Sequence, residues 1–195
     1  EDFSSSGYKA YLESLGISTD RVISSNSQQS AHCYLFYDST GDRLAFMDDI
    51  DPDVRIRIDL PISYLKKLKM VTFTGGSRKD PFTEPSIKLS KSAREHAVKT
   101  ALSVAGDVSD ISSELISMVD IVLCNQHEAQ KMLELNTLSN LKDLPKLRPQ
   151  TFFVTDGKNG SKVITGDDEV YVPIVKAAEQ IDPTGAGDAY AGGVI

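Results

Sequence analysis

Apolar residues near the start of the chain recur with a helical period. Tyr8, Tyr11, Leu12 and Leu15 share one face, Ser4, Ser5 and Ser6 are candidate N-caps, and Gly16 sits where a helix end favours glycine. The period then changes. Ala31 to Tyr37 and Arg43 to Met47 are apolar and aromatic runs around Asp38-Ser39-Thr40-Gly41-Asp42, which predicts a β-hairpin. The acidic run Asp48 to Asp53 reads as a solvated loop. Leu60-Pro61 opens a short helix with Ile62, Leu65 and Leu68 on its apolar side and lysines at 66, 67 and 69 near its end, where the helix dipole favours cations. Met70 to Thr74 reads as a buried strand ending at Gly75-Gly76.

Farther along, Ile87, Ala93, Ala97, Val98, Ala101 and Leu102 stand at helical spacing, predicting a helix over Ser86 to Val104. Val104 to Val108 is then the next strand, although short, and Ser109 to Met118 a helix with Ile111, Leu115, Ile116 and Met118 inward. Ile121 to Cys124 and Thr151 to Thr155 read as strands, with a helix over Ala129 to Leu135 between them; Ser161 to Thr165 and Val170 to Pro173 are shorter strands. Strands at 70–74, 121–124 and 151–155 separated by helices indicate an α/β fold, a parallel sheet with helices on both faces, plus the antiparallel hairpin.

The totals narrow the function. A net charge of −7 and the lack of a basic block argue against nucleic acid or an anionic membrane as partner, so a phosphate site must be local. No apolar run approaches the roughly 20 residues of a membrane span, and the polar start is no signal peptide. Cys33 and Cys124 each lie in an apolar run with no second cysteine nearby, as buried thiols of a cytoplasmic protein do. No strand precedes the first helix and no methionine opens the sequence, which reads as the central part of a longer chain.

Candidate chemistry gathers near the end, in Asp182-Pro183-Thr184-Gly185-Ala186-Gly187-Asp188, just before the apolar run 189–195. Gly185 and Gly187 allow consecutive N–H groups to turn inward, and the helix that begins there adds its positive end, which suits a phosphate. A carboxylate facing a phosphate is repelled unless it takes the proton of the attacking hydroxyl, and Asp188 fits that role. A glycine-rich turn into a packed helix, with no ligand, is the alternative. Upstream, Asn125 and Glu128 stand at the spacing of a capping box, which needs no ligand either, and Gly157 and Gly160 suit an ordinary hairpin turn. No Walker-A sequence occurs.

Asp182 to Gly193 resembles the D-x-T-G-A-G-D signature of the ribokinase-like sugar and nucleoside kinases, the PfkB carbohydrate kinase family. Three further segments resemble that family in order: the turn carrying Asp38, Gly41, Asp42 and Arg43; the N-x-x-E of Asn125 and Glu128; and Val154 to Gly160, similar to V-T-x-G-x-x-G. The resemblance implies a three-layer sandwich with a mainly parallel central sheet, and a small β-sheet lid formed by residues 31–47. It implies transfer of the γ-phosphoryl of ATP to a hydroxyl of a sugar or nucleoside, with Asp188 as base and the amides of Gly185, Ala186 and Gly187 as anion hole. Asn125, Thr155, Gly157 and Gly160 would line the nucleotide site, and Glu128 would hold Mg²⁺ through water. Asp182 and Thr184 occupy positions that serve a monovalent cation such as K⁺, although Pro183 replaces a common Thr. A catalytically silent member that binds a nucleotide or a partner protein is the competing class. Tyr34, Phe36, Tyr37, Leu44 and Phe46 give the hairpin more apolar surface than a two-stranded ribbon buries alone, so one face is expected to cover a ligand or the second subunit of a homodimer.

Overall fold

A six-stranded sheet, with its strands adjacent in sequence order, organises the larger part of the described residues. The structure, a computed structural model, describes residues 7–22, 33–37, 43–47, 60–75, 82–105, 111–176 and 184–195. The serine caps at 4–6, the hairpin turn at 38–42, the acidic run at 48–53, Gly76 and Asp182 lie outside the described residues. The chain divides into two units, 1–54 and 55–195.

In the first unit, helix α1 (Tyr8–Ser14) ends as expected at Gly16, whose φ of 76° places it in the left-handed region. The Gly16 and Ile17 N–H groups bond back to the Glu13 and Leu12 carbonyls, the double closure that glycine permits there. Strands β1 (Cys33–Tyr37) and β2 (Arg43–Met47) pair antiparallel, with Tyr34 opposite Phe46 and Phe36 opposite Leu44. Those four side chains share one face, all are exposed, and Phe36 and Phe46 meet edge to face with ring centroids 5.6 Å apart.

The second unit begins with a one-turn helix, α2 (Ile62–Leu65), behind Pro61, and then builds the sheet. Strands β3 (Met70–Gly75), β4 (Lys99–Val104), β5 (Ile121–Asn125) and β6 (Thr151–Thr155) are parallel; β7 (Ser161–Thr165) and β8 (Asp168–Val172) add antiparallel. Helices α3 (Thr83–Glu95), α4 (Ser113–Met118) and α5 (Gln126–Leu135), with a 3₁₀ segment (Leu141–Leu147), cover one face. Their Ile87, Ala93, Leu115, Ile116, Met132 and Leu144 pack on Leu102, Val122, Phe152, Val154 and Ile164, all buried. On the opposite face α6 (Ala186–Val194) lays Ala191 against Ala101 and Leu123. Three layers result, as the resemblance implied.

The helix expected over Ser86 to Val104 requires correction: α3 stops at Glu95, and Lys99–Val104 is strand β4. Ala97, at φ 57°, breaks the helix, and the Val98 N–H closes onto the Ala93 carbonyl at 2.9 Å. A parallel strand is covered on both faces, so Thr100, Ala101 and Leu102 are all buried, and a solid apolar run mimics a helix continuation. The strand expected at Val104 to Val108 is accordingly displaced: Val104 ends β4, and 106–110 lie outside the described residues.

At the opposite edge of the sheet Asp120 ties three strands together. Its Oδ2 accepts the Thr100 N–H at 2.9 Å and the Thr100 hydroxyl at 3.1 Å, while its carbonyl accepts the Gln150 N–H at 2.8 Å.

Candidate active site

Parallel strands deliver their carboxyl ends to a common edge, where ligands of open α/β sheets bind. Register puts Asn125, the last residue of β5, directly beside Thr155, the last of β6. Asn125 is also the N-cap of α5. Its Oδ1 accepts the Glu128 N–H at 2.8 Å, and Glu128 Oε2 accepts the Asn125 N–H at 2.7 Å, so the capping box is complete. Glu128 Oε1 takes no hydrogen bond among the described residues. Partial burial raises the Glu128 pKa above its ordinary value, against the opposing pull of the Asn125 N–H and of His127. Just before the cap, Cys124 is a buried free thiol whose pKa is pushed up by burial and by the Glu128 carboxylate.

Beyond β6 a 3₁₀ turn (Gly157–Asn159) leads to Gly160, whose N–H and C=O close the turn against Gly157 and Asp156. Gly160 has φ 88°, and a Cβ there would stand 2.3 Å from the Val172 carbonyl oxygen. Only a bare α-carbon lets the chain leaving β8 pass so close. That passage makes a cleft of about 320 Å³ lined by Thr155, Gly157, Gly160, Pro173, Ala186 and Gly187, among others.

Its far wall is the start of α6. Gly185, at φ 79°, is the N-cap and carries no capping side chain, and the first intrahelical bond runs from the Ala189 N–H to the Gly185 carbonyl at 2.8 Å. The Ala186, Gly187 and Asp188 N–H groups therefore have no partner within the helix. A Cβ on Gly185 or Gly187 would meet nothing within 4 Å, so this end faces open space. Asp188 is exposed, and its carboxylate takes no hydrogen bond or ion pair among the described residues. It borders a second recess of about 300 Å³, floored by Thr72, Thr74 and Ser103 of β3 and β4.

The structure thus gathers Thr155, Gly157, Gly160, Ala186 and Gly187 around one cleft, with Asn125 and Glu128 joined at the adjoining strand end. Asp188 stands on the other side of the same helical turn. Gly185 caps that turn and Thr184 precedes it, exposed. The sequence reading missed the floor residues Thr72, Thr74 and Ser103, together with Tyr190 and Ser161. The Thr72/Thr74 alternation along β3 was the available signal, since it marks a polar face opposite the buried Phe73.

Open helical amides beside a cleft of this size suit a nucleotide's phosphates. Among the described residues no three His, Cys, Asp or Glu side chains gather as a metal cage. Glu128, bonded to Asn125 at the strand end beside Thr155, is one carboxylate that could serve Mg²⁺, which is commonly held by one or two carboxylates together with substrate phosphates.

Sheet, glycine-capped helix and exposed Asp188 together define a ribokinase-like α/β protein. The crystal structure of a Methanocaldococcus jannaschii nucleoside kinase, an archaeal member of the ribokinase family, superimposes with a TM-score of 0.76 at 25% identity, covering 98% of this chain and 62% of that one. A fructokinase with bound ATP from Xylella fastidiosa shares the fold, with a TM-score of 0.80 at 17% identity, over 95% of this chain and 61% of that one. Residues 1–195 match the pfkB family of carbohydrate kinases, and the chain belongs to that family. In sequence it is 26% identical over 202 residues to the curated M. jannaschii nucleoside kinase, across 100% of this chain and 62% of that protein. The chain therefore spans less than two thirds of the length of that relative. No helix among the described residues is long and apolar enough to cross a membrane.

Proposed function

We propose that the protein containing this chain transfers the γ-phosphoryl of ATP to a hydroxyl of a sugar or nucleoside. The observation that carries the reading is the placement of the α6 N-terminus between two recesses, with Ala186 and Gly187 facing one and Asp188 the other. ATP would occupy the cleft of Thr155, Gly157 and Gly160 with its phosphates toward the α6 amides. The acceptor would lie on the Asp188 side.

Asp188 then takes the proton of the acceptor hydroxyl as its oxygen bonds to the γ-phosphorus. The bond from that phosphorus to the β–γ bridging oxygen breaks, and ADP leaves with the electron pair. The amides of Gly185, Ala186 and Gly187 orient the phosphates and meet the charge that spreads over the γ-phosphoryl oxygens. Mg²⁺, when bound, neutralises the phosphate oxygens, and Glu128, fixed by Asn125, would hold it through water. Asp182 and Thr184 would serve a monovalent cation such as K⁺ beside the same loop.

A relative that matches along the whole chain is a nucleoside kinase, which makes nucleosides the first acceptors to test. The hairpin β1–β2 serves, in this reading, as a lid over the acceptor or as a homodimer contact. We place the protein in the cytoplasm, where ATP is available and a thiol such as Cys124 stays reduced.

The test uses the full-length protein with ATP and Mg²⁺ and measures ADP formation over ribose, fructose, 2-keto-3-deoxygluconate and common nucleosides. Acceptor-dependent ADP formation is expected with at least one. ATP binding with no acceptor-dependent turnover would favour the silent, nucleotide-binding member of the fold.

A further inference from the structure

Over Ala186–Val194, helix α6 has few groups that fix its rotation. Three of its nine residues are glycines, Gly187, Gly192 and Gly193, each unfavourable within a helix, and its one buried side chain is the small Ala191. A small apolar contact fixes distance from the sheet but not rotation about the helix axis. Tyr190 supplies what Ala191 cannot. Its ring meets Phe153 of β6 edge to face at 6.4 Å, and its hydroxyl donates to Ser161 Oγ of β7 at 3.0 Å. Ser161 is 4% exposed, so its acceptor has little access to water if the tyrosine is lost.

Geometry makes this anchor matter for Asp188. The two residues are two positions apart, so their side chains leave the helix about 200° apart and are displaced in nearly opposite directions when it turns. A rotation of roughly 10° moves a group about 5–6 Å from the axis by about 1 Å, a displacement that can cost on the order of 10²-fold in rate. Tyr190 itself borders the cleft of Thr155, Gly157 and Gly187, so the anchor and the base lie on opposite sides of one turn.

We infer that Tyr190 is a positioning residue: its hydrogen bond to Ser161 sets the rotation of α6 and thereby aims Asp188 at the acceptor. The inference rests on the kinase reading above, and the experiment separates the two. In the full-length protein, kcat and the KM for ATP are measured for wild type, Tyr190→Phe, Ser161→Ala, the double variant, and Tyr190→Phe combined with Asp188→Asn. Tyr190→Phe should lower kcat about 10- to 100-fold and leave the KM for ATP within about threefold, since the ring and the glycine amides remain. Ser161→Ala should do the same, and the double variant no worse than either, because both remove one bond. On the Asp188→Asn background Tyr190→Phe should cost little more, there being no base left to aim. Ser161→Ala carries the test if Tyr190→Phe fails to fold. An unchanged kcat in either variant, or an equal loss with and without Asp188, overturns the inference. Absence of acceptor-dependent turnover in wild type instead overturns the kinase reading and with it any catalytic part for Tyr190.

Discussion

Asn125 and Glu128 hold each other twice, side chain to backbone in both directions, at 2.8 and 2.7 Å. One carboxylate oxygen is thereby committed to structure, while the other takes no hydrogen bond among the described residues. A residue in this position can steady α5 and serve a metal at once, and the two duties separate by substitution.

Glu128→Gln keeps an oxygen acceptor for the Asn125 N–H but cannot ionise. Burial raises the Glu128 pKa, so the folded chain holds that proton more tightly than the unfolded chain does. Stability from this group is present below the ordinary glutamate range, about 4.3, and is lost as pH rises through the raised value. Thermal melts over a pH series should therefore show wild type losing ground to Glu128→Gln as pH climbs above that range; parallel curves would refute it. In the kinase assay the same variant should need more Mg²⁺ for half-maximal rate.

Replacing Asp188 is the direct test of the proposed chemistry. Asp188→Asn should reduce kcat by roughly 10²–10⁴ with little change in the KM for ATP. A kcat within about threefold of wild type would remove Asp188 from that role.

Two glycines of one turn should respond unequally. Gly160→Ala combines φ 88° with a backbone oxygen 2.3 Å away and should destabilise by about 2–4 kcal/mol, raising the KM for ATP as the 172–175 segment is displaced. At Gly157, φ 49° with nothing within 4 Å, alanine should cost only about 1 kcal/mol. Denaturant titration of both variants decides the order.

Thr137 closes α5 with φ 55°, a conformation costly for a β-branched residue, while the Leu138 N–H bonds to the Leu133 carbonyl at 2.9 Å. Thr137→Gly should stabilise by about 0.5–1 kcal/mol, visible as a raised denaturation midpoint. An unchanged or lowered midpoint would mean that unfolded-state entropy offsets the relieved strain.

For the hairpin, hydrogen exchange on the full-length protein should slow across residues 31–47 on adding the accepted sugar or nucleoside, and much less with ATP alone. Equal protection with and without acceptor, in a monomeric protein, would mean that the ribbon does not act as a lid.

Where sequence and structure agree, the signal is local. Gly16, the Asn125–Glu128 spacing and the turn around Gly157 and Gly160 each depend on a residue type that one backbone geometry demands. The misplaced β4 shows the opposite case. Ala97, Val98, Ala101 and Leu102 repeat like one side of a helix, and the left-handed turn at Ala97 is made without the glycine that usually announces it. Thr72, Thr74, Ser103, Ser161 and Tyr190 were missed for another reason. Their importance comes from register and from α6 crossing the sheet, relations between segments up to about a hundred residues apart that no short window contains.

The order of the strands has a bearing on how the molecule assembles. From β4 to β8 every strand pairs with its predecessor in the chain, so among the described residues none has to be threaded between two already in place. Folding can proceed by accretion, each loop closure spanning one crossover or one hairpin, which favours speed over a sheet with shuffled order. Helix α6 can find its seat only after Phe153 and Ser161 are in position. Pulse-labelling hydrogen exchange should accordingly protect β5 and β6 before α6, with the reverse order refuting it, so that the sheet stands as a scaffold before the glycine turn of α6 is laid against it.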